Sequence, residues 1–327
     1  MTLSRTDLMA LVAEANLAPS VHNTQPSRWR LDHDGGVLLL EDSTRRLPVG
    51  DPLGRDAEVS HGAALEGFVL ACAQKGLAVN VDQLPLQAGS LRPVARLGVE
   101  PGAGQDPLRA QVSVRRTYRG AFAPGGDAGR LAPLTANADA ILVSRADGVA
   151  RLAQLNDEAS LRTYRDKAFR AELVSWMRLS SRHPRWALDG LNAEAMEMSG
   201  FEAAGAGLVL KSGIFETLDK AGVAGPLVSE AKVVRSAQAV VLFHRPEDEP
   251  PLETGRRFYR LWLEFTALGV AAAPMAVLAD DAAARTAIAA AFSVPAGRRL
   301  ITAFRLGVAP ARSRPPKPRL PVEALIV

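Results

Sequence analysis

Two stretches of this chain concentrate side chains that can do chemistry. Ala18-Pro19-Ser20-Val21-His22-Asn23-Thr24-Gln25-Pro26 places five hydrogen-bonding side chains (Ser20, His22, Asn23, Thr24 and Gln25) in six positions. On loop backbone such groups can meet a polar ligand with fixed donors and acceptors. They can equally end a helix and satisfy the loop's own backbone. Val114-Arg115-Arg116-Thr117-Tyr118-Arg119-Gly120-Ala121-Phe122 sets three arginines around a hydroxyl. Guanidinium forks take phosphate oxygens bidentately, so this set suits a phosphate; an exposed basic loop is the alternative. Arg298–Arg319 adds Arg298, Arg299, Arg305, Arg312, Arg314, Lys317 and Arg319 with no acid among them. Two basic clusters so far apart are either two solvated faces or two arms closing on one anion.

Other chemistries find no support. Cys72 is the only cysteine, which excludes an internal disulfide and a multi-cysteine metal or iron–sulfur site. None of the five histidines is paired at metal-ligand spacing, so no metal is expected. There is no nucleophilic serine between glycines and no Gly-x-Gly-x-x-Gly after a strand. The net charge of +4 and a basic tail with only Phe304 as interleaved aromatic speak against nucleic acid.

The 327 residues, 47 % apolar and 23 % charged, have ample apolar surface for a core. No apolar run reaches the roughly 18 residues of a membrane span. Arg5 and Asp7 precede any apolar block, unlike a signal peptide, so the cytoplasm is the expected compartment.

The elements that must carry the two motifs follow from periodicity. Leu8, Leu11, Val12 and Ala15 predict a helix over Thr6–Leu17, capped by Ser4 or Thr6 and ended by Pro19. Strands are expected at Trp29–Leu31 and Val37–Glu41 around Asp34-Gly35-Gly36. Ser60 is expected to cap a helix with Ala64, Leu65, Phe68, Val69 and Cys72 buried and Gly76 as its stop. A strand follows at Val94–Val99. The second half predicts helices near 148–180, an irregular stretch over 182–225 and a strand at Ala237–Phe243. A helix over Thr254–Leu268, with Phe258 and Trp262 as packing residues, a helix at Ala282–Phe292 and a strand at Leu300–Val308 complete it. Arg96-Leu97-Gly98-Val99 recurs as Arg305-Leu306-Gly307-Val308, each after an apolar helix ending at Gly76-Leu77 or Gly269-Val270. That context suggests two related halves, mimicking a two-fold dimer.

Taken with Arg45–Arg55 (including Asp51-Pro52-Leu53-Gly54-Arg55), Ser60-His61-Gly62-Ala63-Ala64-Leu65, Asp189-Gly190-Leu191 and Gly255–Pro274, the two motifs resemble the nitroreductase superfamily of flavoproteins in its double-length, Acg-type form. The resemblance covers nearly the whole chain. It implies an α+β, nitroreductase-like fold of two pseudo-two-fold-related halves, residues 1–112 and 113–327, with one FMN between them. Arg115 and Thr117 match the phosphate arginine and hydroxyl, and Arg119 lies near the basic residue approaching flavin N1 and O2. Ser20 and Asn23 match the loop that meets the isoalloxazine and ribityl groups from the opposite half, with His22 and Gln25 beside them. Arg312-Ser313-Arg314 resembles the basic-x-basic element that reaches the phosphate. Pro274-Met275-Ala276 resembles the segment presenting a backbone N–H to flavin N5, with Ala276 the donor. Two departures stand out: Ser27 follows Gln25-Pro26 where the family has Trp, and Ala276 stands where a Glu is frequent.

The expected activity is NAD(P)H-dependent reduction of an electron-poor acceptor, a nitroaromatic or quinone, by ping-pong hydride transfer on the flavin; no catalytic side chain is assigned. The alternative is an FMN-sequestering protein whose lid, placed at 182–225, stays closed. Fused halves remove the need to dimerise, so a monomer is expected.

Overall fold

Ser4 opens helix α1 (Arg5–Ala15) through a capping box: its Oγ accepts from Asp7 N at 3.1 Å, and the Asp7 carboxylate accepts from Ser4 N at 3.3 Å. The helix buries Leu8, Leu11, Val12 and Ala15, the predicted stripe. Strands β1 (Ser27–Leu31) and β2 (Val37–Asp42) form the predicted hairpin, with Leu31 opposite Val37. Helix α2 (Arg55–Gln74) begins well before Ser60, behind Gly54 at φ 70°. The Asp51 carboxylate accepts from Ala57 N at 2.9 Å and supplies the cap from upstream. Ser60 therefore sits inside α2, where its hydroxyl donates to Asp56 O at 2.7 Å. Strands β3 (Leu77–Gln83) and β4 (Leu91–Pro101) complete an antiparallel sheet of order β1-β2-β4-β3. Helix α3 (Arg109–Val112) follows.

The structure, a computed structural model, describes residues 3–85, 87–126, 128–211, 213–311 and 316–327. Its second half contains β5 (Ala140–Val143), α4 (Ala146–Arg165), α5 (Lys167–Trp176) and a short parallel pair, β6 (Met177–Arg178) with β7 (Leu191–Asn192). Where the sequence suggests only irregular chain, α6 (Gly200–Val209), α7 (Ile214–Lys220) and α8 (Ala224–Val228) form, followed by α9 (Ala231–Arg235). Then come β8 (Ala239–Pro246), α10 (Pro251–Ala267), β9 (Ala271–Met275), α11 (Val277–Asp280), α12 (Ala282–Phe292) and β10 (Arg298–Gly307). The second sheet runs β5-β8-β10-β9.

The two sheets share one topology. In each, a long helix follows the second strand, and the last strand pairs with both the second and the third. The repeated Arg-Leu-Gly falls on these equivalent last strands, β4 and β10. The long helices α2 and α10 pack on each other through Gly62 and Gly255. A Cβ on Gly62 would stand 2.0 Å from Leu252 O, and one on Gly255 would stand 2.2 Å from Val59 O. Gly76 and Gly269 end the two helices at φ 71° and 72°, at the same spacing from Gly62 and Gly255.

The halves share a core. Tyr259 and Leu263 of α10 pack into the cluster built on Leu8, Leu11, Trp29, Leu65 and Phe68, together with Leu320 and Ile326 from the chain's far end. That end crosses back onto the first sheet: Trp29 N donates to Leu325 O at 2.8 Å and Val327 N to Trp29 O at 2.9 Å. Among the described residues no helix is long and apolar enough to cross a membrane.

Candidate functional site

The loop after α1 is strained in one place. His22, Asn23 and Gln25 all have positive φ (44°, 53° and 52°), a region other than glycine rarely enters. Hydrogen bonds from several elements impose it. Ser20 Oγ accepts from Gln25 N at 2.9 Å, and Ser60 Oγ, from inside α2, accepts from Val21 N at 3.0 Å. Asn23 Nδ2 donates to Pro318 O at 3.1 Å, and its Oδ1 accepts from Arg319 at 2.9 Å. Gln25 Nε2 donates to Leu188 O at 2.8 Å, and its Oε1 accepts from Leu320 N at 2.8 Å. Both amides thus hold segments far away in sequence. His22 Nδ1 and the Thr24 hydroxyl are buried with no partner among the described residues. Burial, with the Arg119 charge beside it, pushes the His22 imidazole down to about 4, so it is neutral at physiological pH.

Arg115 lies just past α3, on the other side of this loop. Its side chain is 2 % exposed, donates to Leu17 O at 2.9 Å, and stacks 4.7 Å from the Trp262 ring. The chain then runs beside β9: Thr117 bridges to Ala272, and Tyr118 N donates to Ala272 O at 3.0 Å. Pro274, Met275 and Ala276 lie at the far end of that strand, with Pro274 and Met275 paired to Phe304 and Ala303 and Ala276 exposed. Arg119 donates to Ala195 O at 3.1 Å, and burial lowers its guanidinium to about 10.

The basic tail meets Arg115 here. Lys317 Nζ donates to Ser113 O at 3.0 Å and Val112 O at 3.2 Å. Arg319 caps the carbonyl end of α1, donating to Leu17 O at 3.1 Å and Ala18 O at 3.0 Å as well as to Asn16 O. Arg115 and Arg319 share the Leu17 carbonyl. Arg312 and Arg314 fall outside the described residues. The pattern basic-x-basic recurs immediately afterwards as Lys317-Pro318-Arg319, which stands beside Arg115. Its spacing was visible in the sequence, but nothing local distinguished it from Arg312-Ser313-Arg314.

Arg115, Arg116, Lys317 and Arg319 form no ion pair with a carboxylate among the described residues. Burial holds all four below their ordinary values, and repulsion from neighbouring guanidiniums adds to it for Arg115, Lys317 and Arg319, leaving Lys317 at about 6 and Arg319 at about 9. Such a cluster lacks a multiply charged acceptor, which a phosphate supplies.

A strap from the second half covers the loop. Asp189, 1 % exposed, takes Arg45, Arg178 and Arg185, and Arg45 also donates to Thr24 O. Burial alone would raise the Asp189 carboxyl, but the three guanidiniums hold it low. Between the loop and α1 only about 20 Å3 stays open, lined by Ala18, Ser20, Gln25, Ser60 and Trp29, room for one water molecule. The basic cluster has the donors a phosphate such as that of FMN would need, while the strap occupies the amides of Asn23 and Gln25.

No protein-family model matches the chain. Two proteins of Mycobacterium tuberculosis (strain H37Rv), both named "Putative NAD(P)H nitroreductase", are similar to it. Rv3131 is 31 % identical over 166 residues, 49 % of this chain and 47 % of that protein. The acg protein is 32 % identical over 188 residues, 54 % of this chain and 55 % of that protein. The chain therefore spans about half the length of these relatives. Two solved structures resemble it weakly. The FMN-dependent nitroreductase NfnB from Mycobacterium smegmatis, in complex with NADPH, is 18 % identical over 63 % of this chain and 91 % of its own, with a TM-score of 0.37. A "putative nitroreductase" from Anabaena variabilis is 10 % identical over 93 % of this chain and 74 % of its own, with a TM-score of 0.43. At such TM-scores the likeness carries no structural weight.

Proposed function

We propose, from the chain's similarity over about half its length to the putative NAD(P)H nitroreductases, that it belongs to the nitroreductase superfamily and is an FMN-dependent NAD(P)H oxidoreductase acting on an electron-poor aromatic or quinone acceptor. The observation that carries this reading is the meeting of Arg115, Lys317 and Arg319 at the carbonyl end of α1, with no carboxylate paired to them among the described residues. These residues hold the FMN phosphate. When bound, FMN supplies the hydride chemistry. Arg119, whose charge acts on His22 of the polar loop, would favour negative charge on a bound flavin. His22, neutral beside it, adds no competing charge. Ser20, through Gln25 N, and Ser60, through Val21 N, hold the backbone against which a ring would lie. Ala276, exposed at the end of β9, would present its backbone N–H to the flavin.

The test is direct. Purified protein should show the two-band visible spectrum of a flavoprotein and oxidise NADH or NADPH with menadione or nitrofurazone. A colourless protein that takes up no added FMN sinks the reading.

One observation favours a second reading, an FMN-sequestering protein with little turnover. The strap at 187–190 already engages Asn23 and Gln25, the two amides facing the ring side. Bound FMN with no NAD(P)H oxidation, and no reoxidation by menadione after dithionite reduction, would select it.

A further inference from the structure

We propose that the Tyr259 hydroxyl is a further donor of the anion site, and that with Arg115 it makes the site select a phosphate monoester over a neutral or singly charged ligand. The proposal rests on the FMN reading for the identity of the natural ligand but not for the existence of the anion site. Tyr259 and Trp262 lie one turn apart on α10, Tyr259 packed into the core of the first half and Trp262 into that of the second. By spacing they are packing residues, and their rings do pack. Their polar atoms remain unexplained.

A buried phenol or indole normally finds an acceptor. Tyr259 is 0 % exposed and, among the described residues, its hydroxyl proton finds no acceptor, because the Arg115 guanidinium beside its oxygen can only donate; the Trp262 indole N–H and Arg115 Nε have no partner there either. The three are neighbours, since the Arg115 guanidinium stands 4.7 Å from the Trp262 ring and 5.8 Å from the Tyr259 ring. Both Arg115 and Arg319 act on the Tyr259 hydroxyl, offsetting part of the rise that burial imposes on it. The locality therefore holds surplus donors and surplus positive charge. Its complement is a group that only accepts, has several oxygens and carries more than one negative charge. A carboxylate offers fewer oxygens and a single charge. Water would leave the charge unmatched.

The test compares wild type with Y259F, which keeps the ring and its packing. Flavin-free protein is titrated with FMN and with riboflavin by fluorescence, and its thermal midpoint is followed with inorganic phosphate and with acetate. Wild type should be stabilised by phosphate more than by acetate. Y259F should bind FMN about 10-fold more weakly, bind riboflavin within about two-fold of wild type, and lose most of the phosphate stabilisation. Phosphate should also give wild type a tyrosine difference spectrum that Y259F lacks. Equal FMN affinity and equal phosphate stabilisation in the two proteins overturn the proposal. A wild type that binds neither flavin yet is stabilised by phosphate through Tyr259 supports the site and removes the flavin reading.

Discussion

Asn23 and Gly190 exchange hydrogen bonds in both directions: Gly190 N donates to Asn23 O at 3.2 Å, and Asn23 Nδ2 donates to Gly190 O at 3.3 Å. A loop of the first half and a strap of the second are thereby joined through a residue at φ 53° and one at φ 73°. Asp189, next in sequence to Gly190, anchors the joint through its three arginines.

Asp189→Asn should loosen this joint. Removing the buried charge leaves three guanidiniums unpaired, a change that costs about 3–5 kcal/mol when a buried pair is broken. The expected result is a lower thermal midpoint and faster protease cleavage within 182–225. An unchanged cleavage pattern would show that the strap is held by something other than Asp189.

Arg115→Ala should release FMN. A charge-assisted phosphate contact contributes about 1.5–3 kcal/mol, so the flavin content of purified protein should fall sharply. Arg115→Lys should recover only part, because an ammonium lacks the planar fork. Full flavin occupancy in Arg115→Ala would place the phosphate elsewhere.

Lys317 sets a pH dependence of stability. Its folded value is pushed down to about 6 from 10.5 by burial and by Arg115, Arg116 and Arg319. Between those values the unfolded chain binds the extra proton, so stability without a bound anion should rise as pH increases from about 6 towards 10. A saturating phosphate or FMN restores the charge and should flatten the slope. Urea melts at several pH values, with and without phosphate, measure it; identical slopes would contradict the electrostatic account.

His61 works on the acid side. It is fully buried, its Nδ1 lies 2.8 Å from Ser27 Oγ, and burial pushes it down to about 4. The unfolded chain takes up this proton near 6.5, so stability should fall as pH drops from 6.5 towards 4. His22, also at about 4, adds to the same loss. Denaturant midpoints that stay level from pH 7 to pH 4.5 would refute it.

The α2–α10 contact brings backbone against backbone and leaves no room for a side chain on Gly62 or Gly255. Gly62→Ala and Gly255→Ala each drive a methyl into backbone, at 2.0 Å from Leu252 O and 2.2 Å from Val59 O, and should each cost more than about 3 kcal/mol. Gly205→Ala, in α6 with open space around it, should instead stabilise by about 0.5–1 kcal/mol. Circular dichroism melts of the three variants compare them; similar midpoints would mean the helices can move apart freely.

By itself, the sequence determined the local elements and the repeat. Helical and strand periods are written in neighbouring residues, so α1, the first hairpin, α12 and the Arg-Leu-Gly strands were legible to within a few residues. The start of α2 was not, because Ser60 and Asp51 are both good caps, and only the packed chain shows Asp51 holding the first turn while Ser60 reaches back to Val21. The candidate site divides in the same way. That arginines and a polar loop could serve one phosphate was readable from side-chain chemistry. That Lys317 and Arg319 join Arg115, that Asn23 and Gln25 hold a strap, and that Tyr259 ends beside two guanidiniums were decided by contacts between residues far apart in the chain. Local pattern records propensity; only closing the chain decides which buried charge or hydroxyl goes without a partner.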